Sequence, residues 1–231
     1  MPDAAVLAAN GVSIIYGQGP LAATAVDNVS LNFQPGEVTL LMGASGSGKT
    51  TLLSALGCLR TVDSGHITLL GRPLGGQAEA ALGQLRSRHI GFVFQFFRLF
   101  RSLTAQENVE LGLEFAKATG AATQTAAETL AAVGLAAKRH LRPDQMSGGE
   151  RQRVAVARAL AKQPEILLAD EPTAALDSTS GRQVAALIRE QVKERGMVAV
   201  IATHDPRLAP YGDRVVEMRD GRVVRDERSN G

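Results

Sequence analysis

Two clusters of residues in this chain have the types and spacing that phosphoryl transfer from a nucleotide requires. The first is Gly43-Ala44-Ser45-Gly46-Ser47-Gly48-Lys49-Thr50, a glycine-rich loop closed by a lysine and a hydroxyl, with Thr51 next in line. Glycine lets such a backbone bend until successive N–H groups face one concavity, as the crowded oxygens of a triphosphate demand. The following helix adds its free first-turn N–H groups and the positive end of its dipole. Lys49 contributes a mobile full charge, and Thr50 a hydroxyl suited to magnesium. The second cluster is Asp170-Glu171 at the end of an apolar run. One acid can sit in a magnesium shell while its neighbour orients and deprotonates a water for in-line attack on the terminal phosphate. Two further apolar runs end on Gln95 and His204. The Gln95 amide either serves the metal or the attacking water, or caps a loop. His204 either hydrogen-bonds a terminal phosphate or is structural.

Positioning these groups calls for strands that end where the chemistry begins. Val38-Thr39-Leu40-Leu41-Met42 reads as a buried strand before the loop, and residues 49–59 as a helix carrying Cys58 with Leu52, Leu53, Leu56 and Leu59 on one face. The runs 90–95, 166–171 and 197–205 are apolar strands that each finish on polar residues. Residues 5–41 have the punctuation of an antiparallel sheet, and Tyr16 within it either stacks on an adenine ring or fills the sheet edge. Residues 65–74 read as a strand and turn, and 214–225 as a hairpin turning at Asp220-Gly221. Residues 104–141 are alanine-rich and helical, broken near Gly120 and Gly134, with the run 119–125 expected as a mobile loop. Ser147 is placed to cap a helix over residues 151–162, so that Ser147, Gly148, Gly149 and Glu150 form a second helix start able to take an anion. Six of the seven phenylalanines fall between Phe92 and Phe115. Phe96, Phe97 and Phe100 crowd behind Gln95 without a regular period, as a docking patch for another protein or a filling between two lobes.

Composition bounds the rest. The 231 residues, 45% hydrophobic and 21% charged, suffice for a real core in one large domain or two joined lobes. A net charge of +2 with both signs interspersed requires no nucleic-acid partner. A single cysteine excludes a disulfide within the chain and suits a reducing cytosol. No stretch reaches the ~18 uninterrupted apolar residues of a membrane span, and Met1-Pro2-Asp3 does not open a signal peptide. The expectation is a cytoplasmic protein that reaches any membrane through a partner.

Taken together these residues resemble the nucleotide-binding subunit of ATP-binding-cassette (ABC) transporters over nearly the whole chain. Tyr16 matches the family's adenine-stacking aromatic, Gly43 to Thr50 its Walker A loop, and Gln95 its Q-loop. Ser147 to Glu150 match its signature, Asp170 and Glu171 its Walker B pair, Asp177 its D-loop and His204 its switch histidine. Met146 and Glu150 depart from the usual Leu-Ser-Gly-Gly-Gln, and Ala175-Leu176 precede Asp177 where a Ser or Asn is common. The resemblance implies an α/β P-loop NTPase (RecA-like) core with an N-terminal antiparallel β subdomain and an inserted α-helical subdomain. In one ABC domain, residues 1–95 and 163–231 would form the core and 96–162 the helical part. It implies ATP and Mg2+ as ligands, with Thr50, Gln95 and Asp170 on the metal and Glu171, Gln95 and His204 in catalysis. It also implies a homodimer with each ATP shared between two chains, and a membrane permease contacting the surface near Phe96, Phe97 and Phe100. A periplasmic adaptor is left open. Residues 94–109 look most like exporters of lipoproteins, macrolides or cell-envelope glycolipids. The other classes are soluble cassettes acting on DNA or ribosomes, which carry paired cassettes or coiled coils absent here, and regulatory switches that close on ATP without lasting turnover.

Overall fold

The computed structural model describes residues 5–116 and 122–228. Its centre is a six-stranded sheet in the order β10-β9-β3-β8-β7-β6. These strands are β3 Val38–Met42, β6 Ile90–Phe94, β7 Ile166–Asp170, β8 Val198–Thr203, β9 Arg214–Arg219 and β10 Arg222–Arg228. All neighbours are parallel except β9 and β10, a hairpin turning at Asp220 and Gly221, both in the left-handed region. The inner strands read as unbroken apolar runs because both faces are covered. Leu40, Leu167, Ala169, Ala199 and Ile201 pack to one side, and Leu41, Ile166, Leu168, Val198 and Val200 to the other.

The second side is closed by helix α1 Lys49–Leu56 and a four-stranded antiparallel sheet, order β2-β1-β4-β5. It comprises β1 Leu7–Tyr16, β2 Ala23–Phe33, β4 Ser64–Leu69 and β5 Arg72–Pro73. Two expectations change here. Residues 38–41 leave the antiparallel sheet expected over 5–41, because a strand buried on both faces belongs in the parallel one. The helix expected to reach Leu59 stops at Leu56. Gly57 presses against the Phe92 ring, where a Cβ would lie 2.1 Å from it, and Cys58 turns into the left-handed region at φ 58°. Leu59 is consequently exposed, and Cys58 is buried beyond the helix rather than on it.

The first side is covered by α3 Ala105–Phe115, α4 Ala122–Ala132, α5 Gly148–Leu160 and α6 Ser178–Arg195. Thr104 starts α3 with a capping box to Glu107, and Ser147 starts α5 with one to Glu150. Gly196, at φ 65°, closes α6. Helix α2, Glu79–His89, leads into β6 with only Leu82 and Leu85 buried. Of the run 119–125, residues 122–125 belong to α4, while 119–121 lie outside the described residues, as does the expected break at Gly120.

Candidate functional site

Sheet register assembles the site from segments distant in sequence. Met42 pairs with Thr203, Ala202 with Asp170, and Asp170 with Phe94 across β3, β8, β7 and β6. The next residues, Gly43, His204, Glu171 and Gln95, therefore leave the sheet side by side at the carboxyl ends of parallel strands, where open α/β sheets hold ligands. They open onto a cleft of about 320 Å³ lined by residues 45–51, Gln95, Glu171 and His204, with Ala25 at its edge.

The loop before α1 needs glycine at two close approaches. A Cβ on Gly43 would stand 2.3 Å from the Met218 carbonyl oxygen, and one on Gly48, at φ 99°, only 2.2 Å from that of Ala25. Lys49 lies almost wholly buried beneath the loop, 6% exposed. Its Nζ donates to the carbonyls of Gly43 at 2.8 Å and Ala44 at 2.9 Å, and stands 3.4 Å from Ser47 Oγ. Burial lowers its pKa, while Glu171 and Asp170 pull it upward. The Thr50 hydroxyl donates to Asp170 Oδ1 at 2.9 Å. Burial is the main cause that raises Asp170, opposed first by that hydrogen bond. Glu171 sits just past β7 in the left-handed region, φ 48°. It accepts from the Thr203 hydroxyl at 3.3 Å and meets His204 Nδ1 at 2.7 Å. Adjacent in sequence, the two acids thus face different partners.

Other singled-out residues lie off this cleft. Tyr16 is 45% exposed, and its hydroxyl is 3.4 Å from that of Thr51. At the start of α5, Glu150 N donates to Ser147 Oγ at 3.3 Å, and Ser147 N to Glu150 Oε2 at 2.9 Å, while Lys138 pairs with Glu150 Oε1. Gly149 lets this tip approach the start of α6, since a Cβ would come 2.9 Å from Ser180. Asp177 is the N-cap of α6, accepting from the amides of Thr179 and Ser180 and from the Ser180 hydroxyl. The phenylalanines divide. Phe92 and Phe94 stack at 5.7 Å, Phe97 is half-buried under Arg151, and Phe96, Phe100 and Phe115 are exposed. A separate cleft of about 370 Å³, lined in part by Phe92, Phe94, Phe100, Phe115 and Leu59, runs between α2, α3 and α5.

Strand, glycine loop and helix, with two acids at the carboxyl end of β7, agree with a family model described as ABC transporter, which matches residues 26–174. The chain belongs to the ABC transporter family. It is 42% identical over 222 residues to the lipoprotein-releasing system ATP-binding protein LolD of Chromohalobacter salexigens, covering 96% of this chain and 94% of that one. It is also 42% identical over 221 residues to the macrolide export ATP-binding/permease protein MacB of Sodalis glossinidius. That match covers 95% of this chain, which spans about a third of the relative's length, 34%. Among solved structures, the dimeric ATP-binding cassette MJ0796 in a post-hydrolysis state with ADP and Pi superposes with a TM-score of 0.89 at 39% identity. The match covers 97% of this chain and 99% of that one. The cassette cbiO1 of Clostridium perfringens superposes at 0.87 and 29% identity, covering 98% and 89%. The expected α/β P-loop fold is borne out, and this ABC cassette is an ATPase.

Several neighbours of the cassette's site were not legible beforehand. Ala25 reaches the loop through its backbone carbonyl, for which no side-chain signal exists. Thr203 ends an apolar run, and only the pairing of β8 with β7 brings it to Glu171. Lys138 and Arg60 meet Glu150 and Tyr16 through loops with no periodic pattern.

Proposed function

We propose that this ABC ATPase is the motor subunit of an exporter of cell-envelope cargo, working as a head-to-tail pair of chains through a separate membrane permease. Each ATP would lie between loop 43–50 of one chain and Ser147-Gly148-Gly149 of the other. One observation carries this reading: the capped tip of α5 does not line the cleft that Lys49, Gln95, Glu171 and His204 share in its own chain. A second copy gives that tip a phosphate to hold and gives the cleft its missing wall.

Within the cleft, loop amides and Lys49 hold the phosphates, and Glu171 takes the proton of the attacking water. His204, hydrogen-bonded to Glu171, fixes that carboxylate and senses the terminal phosphate. Tyr16 stacks on the base. The Thr50 hydroxyl and the Asp170 carboxylate, already in contact, together with the Gln95 amide make a hard-oxygen donor set that fits Mg2+. Among the described residues no cluster of three or more His, Cys, Asp or Glu could hold a metal alone, so substrate and water oxygens would complete its shell. When bound, the ion would neutralise charge on the phosphate oxygens.

Residues 96–162 act as a unit that carries the α5 tip toward and away from the partner's ATP. The phenylalanine-lined cleft, together with the exposed Phe96, receives a permease segment. Arg86, Arg158 and Lys162 on the same cleft favour an acidic residue on that segment. Among the described residues no helix is long and apolar enough to cross a membrane, and on this reading the permease holds the chain at the cytoplasmic face. The likeness to a lipoprotein-releasing and a macrolide-export protein supports lipoprotein or drug cargo, with a cell-envelope glycolipid as the third class. Glu171→Gln tests the motor reading: turnover falls about 100-fold or more while ATP keeps two chains together on a sizing column. Undiminished phosphate release removes Glu171 as the base. Tight, salt-sensitive binding to DNA or RNA points instead to a nucleic-acid cassette.

A further inference from the structure

We propose that Arg60 is the positioning residue of the nucleobase platform, backing the Tyr16 ring so that its opposite face is presented to the adenine of ATP. The proposal rests on reading Tyr16 as the residue that stacks on the base.

The guanidinium carbon of Arg60 lies 3.9 Å from the centroid of the Tyr16 ring. Its Nη2 donates to the carbonyl of Ile15, the residue just before that ring, at 3.1 Å. The amide of Ile15 donates to Asp63 Oδ2 at 2.8 Å, and the amide of Asp63 to the Ser13 carbonyl at 2.9 Å. Segment 60–63 therefore grips the end of β1 by both backbone groups of one residue and by the face of the next. The Tyr16 hydroxyl, 3.4 Å from Thr51, ties the far edge of the ring to the phosphate loop's helix. The early stop of α1 makes this possible, because the turn at Gly57 and Cys58 sends the chain back toward β1 instead of onward as helix.

Two physical effects follow. A cation over one face of an aromatic ring is attracted to its π-cloud and draws electron density toward itself, which favours an electron-rich base on the other face. A ring held in one orientation before binding also loses less freedom when the base arrives. Both act on the base and neither on the phosphates. Arg60 Nε is buried without a hydrogen-bond partner, so the ring and the Ile15 carbonyl are what hold the guanidinium in place.

The test uses the full chain with ATP and inorganic tripolyphosphate as probes, measuring Kd by calorimetry, KM and kcat by phosphate release, and the unfolding midpoint. Arg60→Ala should weaken ATP about fivefold and raise KM in proportion, with kcat changed by less than about twofold. Tripolyphosphate affinity should not move. Arg60→Lys should recover part of the loss, and Arg60→Ala should add nothing in a Tyr16→Ala background. Arg60→Gln keeps a donor for the Ile15 carbonyl but not the charge; if it folds as the parent does and still weakens ATP, backbone support alone is excluded. Equal weakening of tripolyphosphate, or tighter ATP binding to Arg60→Ala, overturns the proposal. So does intact ATP affinity in Arg60→Ala when Tyr16→Ala is impaired. Should Tyr16→Ala itself bind ATP normally, the platform reading falls and the proposal with it.

Discussion

At the scale of single residues, Lys49 already hydrogen-bonds the Gly43 and Ala44 carbonyls, so its charge is aimed into the loop. Lys49→Ala would remove the proposed charge-assisted contact to phosphate and a brace of the loop, and ATP affinity should fall at least about tenfold by calorimetry. Glu150 places a carboxylate at the helix tip proposed to meet a triphosphate, and Lys138 is its counter-charge. The Lys138 hydrogen bond is the first cause holding Glu150 below the usual carboxylate range. Lys138→Met should therefore weaken ATP-driven pairing of chains, and adding Glu150→Gln should restore it; sedimentation with the Glu171→Gln background reads both. Cys58 is buried, and burial pushes its thiol up to about 11. At pH 8 it remains a protonated thiol, so iodoacetamide should label it only after unfolding.

Elements carry the next level, and they differ in how openly the sequence announces them. Strands β3, β7 and β8 are legible because burial on both faces leaves an apolar run, and the glycine loop or polar residues that end each run line the candidate site. The N-cap of α5 is legible from Ser147, though its reciprocal bond with Glu150 and the pairing of Glu150 with Lys138 are not, since a contact across an irregular segment leaves no periodic trace. The end of α1 is not legible in the sequence, because Leu59 continues the helical spacing, whereas the packing of Gly57 on Phe92 exists only once β6 is in place. Helix α2 leaves little trace in the sequence because it buries only Leu82 and Leu85. The segment behind Gln95 shows a further element-level device. Phe97 and Arg98 both adopt left-handed backbone, φ 57° and 48°, and Arg158 holds their carbonyls, Nη2 to Phe97 at 3.0 Å and Nη1 to Arg98 at 2.5 Å. Arg158→Gln should cost about 2 kcal/mol in a denaturant titration, because two carbonyls lose a charged donor and the strained backbone loses its support.

Over the whole molecule, the two sheets are joined at one end by Arg214. Its guanidinium reaches the Asn32 carbonyl on β2 at 2.5 Å and grips Asp226 on β10 at 2.5 and 2.6 Å. The hydrogen bond from Arg214 is the first cause that lowers Asp226 below its ordinary value of 3.8. A carboxyl lowered by folding adds stability above that ordinary value and loses it as pH falls through the lower folded value. Asp226→Asn should thus unfold at a lower temperature than the parent at pH 7, with the gap closing below pH of about 3.8. The tip of α5 is not among the residues that line the candidate cleft of its own chain, so the function proposed here needs two copies. The most direct measurement is the structure of the Glu171→Gln variant loaded with ATP and magnesium. Head-to-tail pairing puts Ser147 Oγ of one copy within about 3 Å of a terminal phosphate oxygen bound by Lys49 of the other. A fully loaded single chain, or a pair in which every Ser147 lies remote from ATP, would contradict it.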